Sequence, residues 1–217
     1  MFTDAPLFMP ASALAEPKSS SNAARRPRDA HGLRLCVYPA DSADRRHVES
    51  FIRGIYWAHY RARIRTLAPV LVALCAGGRI VAAAGYRAAT QPLFLERYLP
   101  AAVEQCVHDA CGATPQRERI VEVGHLASVR NGAGRMLMPF LGAYLVAEGF
   151  EWVVSTATAE LHSLFCRLGL APLVLGAADP AVLGTDATDW GSYYDHQPQV
   201  LAGSIVEGMA RLTQDRR

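Results

Sequence analysis

Apolar residues recur along this chain with two periods. Val48, Phe51, Ile52, Ile55 and Tyr56 fall at i, i+3, i+4, i+7 and i+8, one stripe of a helix. Asp41 and Asp44 precede them and supply helix-start chemistry. The polar side of that helix carries Arg45, Arg46, Glu49 and Arg53 and reads as a solvated face. Strand periods surround it. Leu33–Tyr38 alternates and predicts a first strand. Val70–Ala76 and Arg79–Ala88 are strand-like runs joined by Gly77-Gly78, a pair suited to a hairpin turn with φ > 0 at both central residues. Residues 92–111 read as helical and broken at Pro100.

The second half continues the alternation. A strand over 119–129 runs into a helix over 134–148, with Met136, Leu137, Phe140, Leu141, Tyr144 and Leu145 on one side. Pro139 inside it predicts a kink or a late start, and Gly149 predicts its end. Trp152–Ala157 is a strand, and Thr158 can cap a helix faced by Leu161, Leu164, Phe165 and Leu168. A short strand follows at 171–175. After Asp179-Pro180 the chain reads as irregular, with Trp190, Tyr193 and Tyr194 as core or lid, and a last helix spans 204–214. The order β-α-β-β-(α)-β-α-β-α-β predicts an α/β (α+β) class: a mixed central sheet with helices on both faces.

Composition narrows the classes. The chain has 217 residues and a net charge of +2. Residues 1–34 hold five Lys/Arg against three Asp/Glu, so the remainder balances to zero. No broad basic face is demanded, and nucleic acid is not the expected partner. Residues 1–32 read as a disordered leader, and 33–217 as one domain. An acid at position 4 and no basic run before the apolar residues argue against a secretory signal. Five cysteines, at 36, 75, 106, 111 and 166, form no C-x-x-C and read as buried, reduced thiols of a cytoplasmic protein. The longest uncharged stretches, 66–78, 136–147 and 168–178, fall short of the ~18 residues of a membrane span. The seven histidines show no metal-ligand spacing.

The stretch IVEVGHLASVRNGAGR (120–135) carries the chemistry. A strand end, a loop with Gly132 and Gly134, and a helix N-terminus make an anion site from free N–H groups and the helix dipole. Arg135 and Arg130 can add charge. The spacing fits neither a Walker loop nor the dinucleotide fingerprint. Glu122 and His125 interrupt the apolar strand. Glu122 is either a buried ion pair with Arg87, Arg97 or Arg119, or a working carboxylate. His125 is either a satisfied core histidine or a working imidazole. Their odd spacing separates them on a regular strand, whereas a bulge near Gly124 would bring them to one face.

The segment 118–175 resembles the central motif of the Gcn5-related N-acetyltransferase superfamily. More closely, the chain resembles the thermostable hemolysins. LFLERYL (93–99), IVEVGHLA (120–127), Gly134-Arg135, WVVSTAT (152–158), LFCRLGL (164–170) and the late WGSYY carry this likeness, which covers about 43–205. The resemblance implies an acyl-CoA N-acyltransferase-like fold that takes an acyl thioester as co-substrate, with no permanently bound cofactor. It implies Glu122 and His125 as catalytic. It implies donor binding by Leu126, Asn131, Gly132, Ala133, Gly134 and Arg135, with Thr156 and Thr158 either bonding the donor's amides or capping a helix. Arg87 and Glu96 would shape an acceptor pocket for a small amine, unless they pair with each other. The loop departs from the superfamily at Val129, where Gln or Arg is expected three residues before the first glycine. The donor is therefore either coenzyme A or the phosphopantetheine of an acyl carrier protein, the donor used by the similar acyl-homoserine-lactone synthases. A membrane-lysing hemolysin and a non-catalytic thioester-binding module are the alternatives. Against lysis stand the missing secretion signal and the lack of a long basic amphipathic helix.

Overall fold

The computed structural model describes residues 32–129 and 132–214. The leader expected over residues 1–32 lies outside them except for Gly32, as do the loop residues Arg130 and Asn131. Seven strands form one mixed sheet: β1 Leu33–Tyr38, β2 Val70–Ala76, β3 Arg79–Ala88, β4 Ile120–Ser128, β5 Trp152–Ala157, β6 Leu173–Ala177 and β7 Gln199–Ser204, in spatial order β1-β2-β3-β4-β5-β7-β6. Among the described residues only β4 and β5 pair in parallel. Five α-helices accompany them: α1 Arg45–Tyr60, α2 Val103–Cys111, α3 Ala133–Ala147, α4 Ala159–Arg167 and α5 Ile205–Gln214. None of the described helices is long and apolar enough to cross a membrane.

Side-chain alternation divides the sheet into two faces. On one, Val72, Leu74, Val121 and Val123 pack with Leu137, Leu141 and Leu145 of α3 and Ile205 of α5. On the other, two separate cores form. Val48, Ile52 and Tyr56 of α1 lie on Leu71, Ala73, Ala83 and Ala127. Val103 and Val107 of α2 lie with Leu95 on Ile120, Val154 and Val200. Between these two cores β4 presents the half-buried Glu122, Gly124 and His125. The predicted hairpin turn is present, with φ of 54° at Gly77 and 80° at Gly78.

The structure corrects several expectations. The irregular tail contains β7, which lies between β5 and β6 and is antiparallel to both. Its consecutive buried residues Val200, Leu201 and Ala202 are covered on both faces, so no alternation announces them. Strand β6 begins two residues later than expected. Helix α3 starts at Ala133 and runs through Pro139. Proline supplies no N–H, so the Arg135 carbonyl loses its intrahelical partner. Asp44 stands at the N-cap of α1, but its side chain makes no cap bond. Arg45 is not solvated. It donates to the carbonyls of Tyr38, Pro69 and Ala68 at 3.1, 2.9 and 2.7 Å and to Glu49 at 2.8 Å. Arg53 in turn bonds Glu49 and the Ile64 carbonyl. These arginines anchor the loop 61–69 against α1. Of the cysteines, Cys75 and Cys106 are buried, Cys36 is partly buried, and Cys111 and Cys166 are exposed; all five are free.

Candidate active site

The site begins where two strands part. The parallel ladder between β4 and β5 covers Ile120–Trp152, Val121–Val153 and Glu122–Val154 only. Beyond that point β5 continues beside β7 as far as Ala157. On its other side β4 changes register against β3. Ala83 pairs with Ala127 and Gly85 with Gly124, so Ala84 alone faces both His125 and Leu126. This is a β-bulge at the position where the sequence pattern needed one. His125 occupies it with φ of 54°. A non-glycine residue in that region is uncommon, although histidine is among the more tolerant types. The extra residue turns His125 to the face of Glu122 and sends Leu126 to the opposite face, against the α3 core.

Glu122 is mostly buried, and it forms none of the ion pairs weighed from sequence. Its Oε2 accepts from the Phe94 N–H at 2.8 Å and its Oε1 from the Leu95 N–H at 3.0 Å. The carboxylate thus caps the short 3-10 helix Leu95–Tyr98. Burial pushes its pKa above the usual carboxylate value, while the two N–H groups and Arg87 pull the other way. Arg119 pairs with Glu151 instead. His125 is buried, and its Nδ1 has no hydrogen-bond partner. Burial, with Arg87, Arg53 and Arg45 adding to it, lowers its pKa to about 4. The imidazole is therefore neutral at ordinary pH. It rests against Gly85, where an added Cβ would come within 3.2 Å of Nδ1.

Glu122 and His125 line the same cavity of about 230 Å³. Tyr56 and the loop 63–68 form one wall, Arg87, Phe94, Arg97 and Tyr98 another, and Val123, Gly124 and Thr156 the floor. A roof covers it: the 3-10 segments Pro180–Trp190 and Tyr193–His196 contribute Leu183, Asp186, Asp189, Trp190, Tyr193 and Tyr194. Asp189 ties the roof to Arg65 at 2.6 Å, and the Asp189 carbonyl accepts from the Arg63 N–H. The Ser192 N–H donates to the Tyr60 carbonyl at 2.8 Å. Tyr193 donates to the Thr156 carbonyl, and the hydroxyls of Tyr98 and Tyr194 meet at 2.6 Å. The aromatic group noted in the sequence is this roof.

The remaining sequence candidates divide. Arg87 lies directly across the ladder from Glu122 and lines the cavity. Glu96 does not line it. Its carboxylate holds Arg117 through two bonds of 2.7 and 2.9 Å and accepts the Val103 N–H that opens α2. Arg117 also bonds Glu104 and the Ala89 carbonyl. Glu96 therefore organises the segment before α2, because Arg117, not Arg87, reaches it. Thr158 caps α4 through the Leu161 N–H, and Thr156 lines the floor. Gly132 stands at the N-cap of α3 with φ of 105°, a value favouring glycine, and Ala133, Gly134 and Arg135 form the first turn. Arg135 is exposed. Sequence reasoning missed the loop 63–68, whose alternating arginines and apolar residues mark it only in retrospect.

The family model described as Thermostable hemolysin matches residues 38–209. The chain belongs to the thermostable hemolysin family. No curated protein matches it in sequence. Solved structures share its fold. FeeM, an N-acyl amino acid synthase from uncultured soil microbes, aligns with a TM-score of 0.56 at 14% identity over 85% of this chain and 97% of its own. TofI in an apo form gives 0.56 at 14% over 83% and 96%. BjaI, a CoA-dependent acyl-homoserine lactone synthase, gives 0.53 at 13% over 85% and 89%. At these identities the likeness is one of fold: this thermostable hemolysin has the mixed sheet of acyl-CoA N-acyltransferase-like synthases.

Proposed function

We propose that this thermostable hemolysin is an N-acyltransferase, moving an acyl group from a thioester to an amine such as an amino acid. The observation that carries the reading is the parting of β4 and β5 beside a roofed cavity that holds Glu122 and His125. The donor's thioester enters the gap. Its phosphates lie on the N–H groups of α3 from Gly132 to Arg135, whether the carrier is coenzyme A or an acyl carrier protein. Leu126, on the α3 face, and Thr156 border the pantetheine arm. The five free cysteines suit a cytoplasmic enzyme.

The chemistry follows from the groups present. An ammonium acceptor first gives one proton to the Glu122 carboxylate, whose raised pKa suits it to receive it. The amine lone pair attacks the thioester carbon and a C–N bond forms. A backbone N–H of β4 beyond its last pair with β5 at Glu122–Val154 would hold the oxyanion. The C–S bond then breaks, and the second nitrogen proton ends on the departing thiolate. The products are an amide and a free thiol. His125, neutral and with Nδ1 unpartnered, offers a hydrogen bond to the bound amine rather than a second base. The test is incubation of the purified chain with acyl-CoA and acyl carrier protein thioesters and a panel of amines, following thiol release and product mass together. Thiol release that depends on the amine, with an amide of the expected mass, supports the reading. No amide with any pair overturns it.

A further inference from the structure

Arg87 is the half-buried cation of the cavity. Its Nη1 donates to the Pro92 carbonyl at 2.9 Å, and among the described residues it forms no ion pair. It stands directly opposite Glu122 in the β3–β4 ladder, on the same face of the sheet. Directly opposed residues have Cβ atoms ~5 Å apart, close enough for a salt bridge between these two side chains. None forms, because the backbone N–H groups of Phe94 and Leu95 hold the Glu122 carboxylate and the Pro92 carbonyl holds Arg87. A negative and a positive group thus flank one small space, both facing it and neither neutralised by the other. Three more arginines line the cavity: Arg97, its guanidinium over the Phe94 ring at 5.3 Å, Arg65, paired with Asp189, and Arg63. Phe94 and Tyr98 on the wall and Trp190, Tyr193 and Tyr194 in the roof add an aromatic surface.

We propose that the acceptor is a zwitterionic α-amino acid with a large apolar side chain: its carboxylate binds Arg87, its ammonium faces Glu122, and its side chain packs against Phe94 and Trp190. The proposal rests on the acyl-transfer reading and names its acceptor. In an α-amino acid the two charges sit two bonds apart, which matches two opposed side chains on neighbouring strands. A simple amine would leave Arg87 desolvated and without a counter-charge.

The test uses matched acceptors that differ only in the carboxylate: L-phenylalanine against 2-phenylethylamine, and L-leucine against 3-methylbutylamine. Each is assayed with one acyl thioester that supports thiol release, and each is titrated calorimetrically into the enzyme without donor. The wild type should favour the amino acid in kcat/KM by about tenfold or more, since a half-buried charge is left unpaired by its analogue. Arg87→Gln should remove most of that preference by raising the amino acid's KM more than the amine's; Arg87→Lys should restore part of it. Melting temperatures identify any variant that fails to fold, and Arg87→Lys then decides. Equal use of amine and amino acid by the wild type, or an equal loss for both in the variants, overturns the proposal while leaving acyl transfer standing. Amino-acid binding that Arg87→Gln abolishes, with no turnover by any pair, supports the subsite and removes the enzymatic reading. Absence of both binding and turnover at millimolar amino acid overturns the subsite.

Discussion

Replacing Glu122 by Gln separates a base from a cap, but only with the right measurement. The carboxylate accepts two backbone N–H groups at 2.8 and 3.0 Å. Glutamine keeps one acceptor oxygen and turns an NH2 toward the other N–H. One hydrogen bond is lost, about 1–3 kcal/mol when the group left behind is buried. A second effect opposes it. Burial dominates the carboxylate's pKa and raises it. A folded-state pKa above the unfolded value means that ionisation costs stability as pH rises through it, and Gln never bears that cost. The net loss is therefore modest, about 1–2 kcal/mol, or roughly 2–8 °C in Tm for a chain of this size.

A purely structural Glu122 predicts the same fall in Tm, so melting decides nothing. Turnover per folded molecule does. If Glu122 takes the amine's proton, Glu122→Gln lowers kcat/KM by about 10²–10⁴ after correction for the folded fraction. The acidic limb of the wild-type pH profile, displaced above the usual carboxylate range, disappears with it. Thiol release and near-ultraviolet melting on the same sample supply both numbers. A variant that melts lower yet turns over like the wild type would falsify the assignment and leave Glu122 as the cap of the 3-10 helix alone.

Other consequences are measurable in the same way. Gly85→Ala places a Cβ 2.8 Å from the Ala68 Cβ, 3.1 Å from Leu71 and 3.2 Å from His125 Nδ1; overpacking there should cost about 1–3 kcal/mol in denaturant unfolding, and an unchanged midpoint contradicts it. His125 has its folded pKa lowered to about 4, so the unfolded chain binds the extra proton between about pH 6.5 and 4 and stability falls on acidification through that window. His125→Asn, which tolerates φ > 0, should flatten that stretch of the Tm–pH curve by up to about 3 kcal/mol, and a curve parallel to the wild type would refute it. Glu96→Gln should destabilise by about 1–2 kcal/mol through loss of the Arg117 bonds while leaving acceptor KM unchanged. Gly134→Val should raise the donor's KM about tenfold if the first turn of α3 holds phosphate, and leave it unchanged if the loop is only a connection.

How far the sequence announced this arrangement depends on the kind of interaction involved. Periodicity is local, so α1, the Gly77-Gly78 hairpin, β4 and β5 were legible within a residue or two. Strand β7 was not, because its buried run owes its place to β5 and β6, which are far away in the chain or recognisable only as partners. Arg45 misled for the same reason. Its position on α1 is that of a surface residue, and only the return of residues 68 and 69 over it adds two carbonyls to that of Tyr38. The bulge lay between these cases. The sequence showed that Glu122 and His125 could meet only if β4 gained a residue near Gly124. Which residue would take the positive φ was decided by pairing with β3.

The bulge also explains why the carboxylate and the imidazole differ in kind. Glu122 precedes the parting of the strands and still belongs to a ladder, so its carboxylate is held by neighbouring backbone and remains able to ionise. His125 follows the parting. Its ring packs near Tyr56 at 6.4 Å between centroids and against Gly85, with three arginines opposing its charge. One cavity thus holds a carboxylate whose pKa burial raises and an imidazole whose pKa burial lowers. A buried imidazole with an empty Nδ1 costs free energy unless a ligand completes it. The positive φ and that orphaned nitrogen therefore belong to the same argument: both are costs at one residue, and neither would be expected where β4 merely carried the sheet.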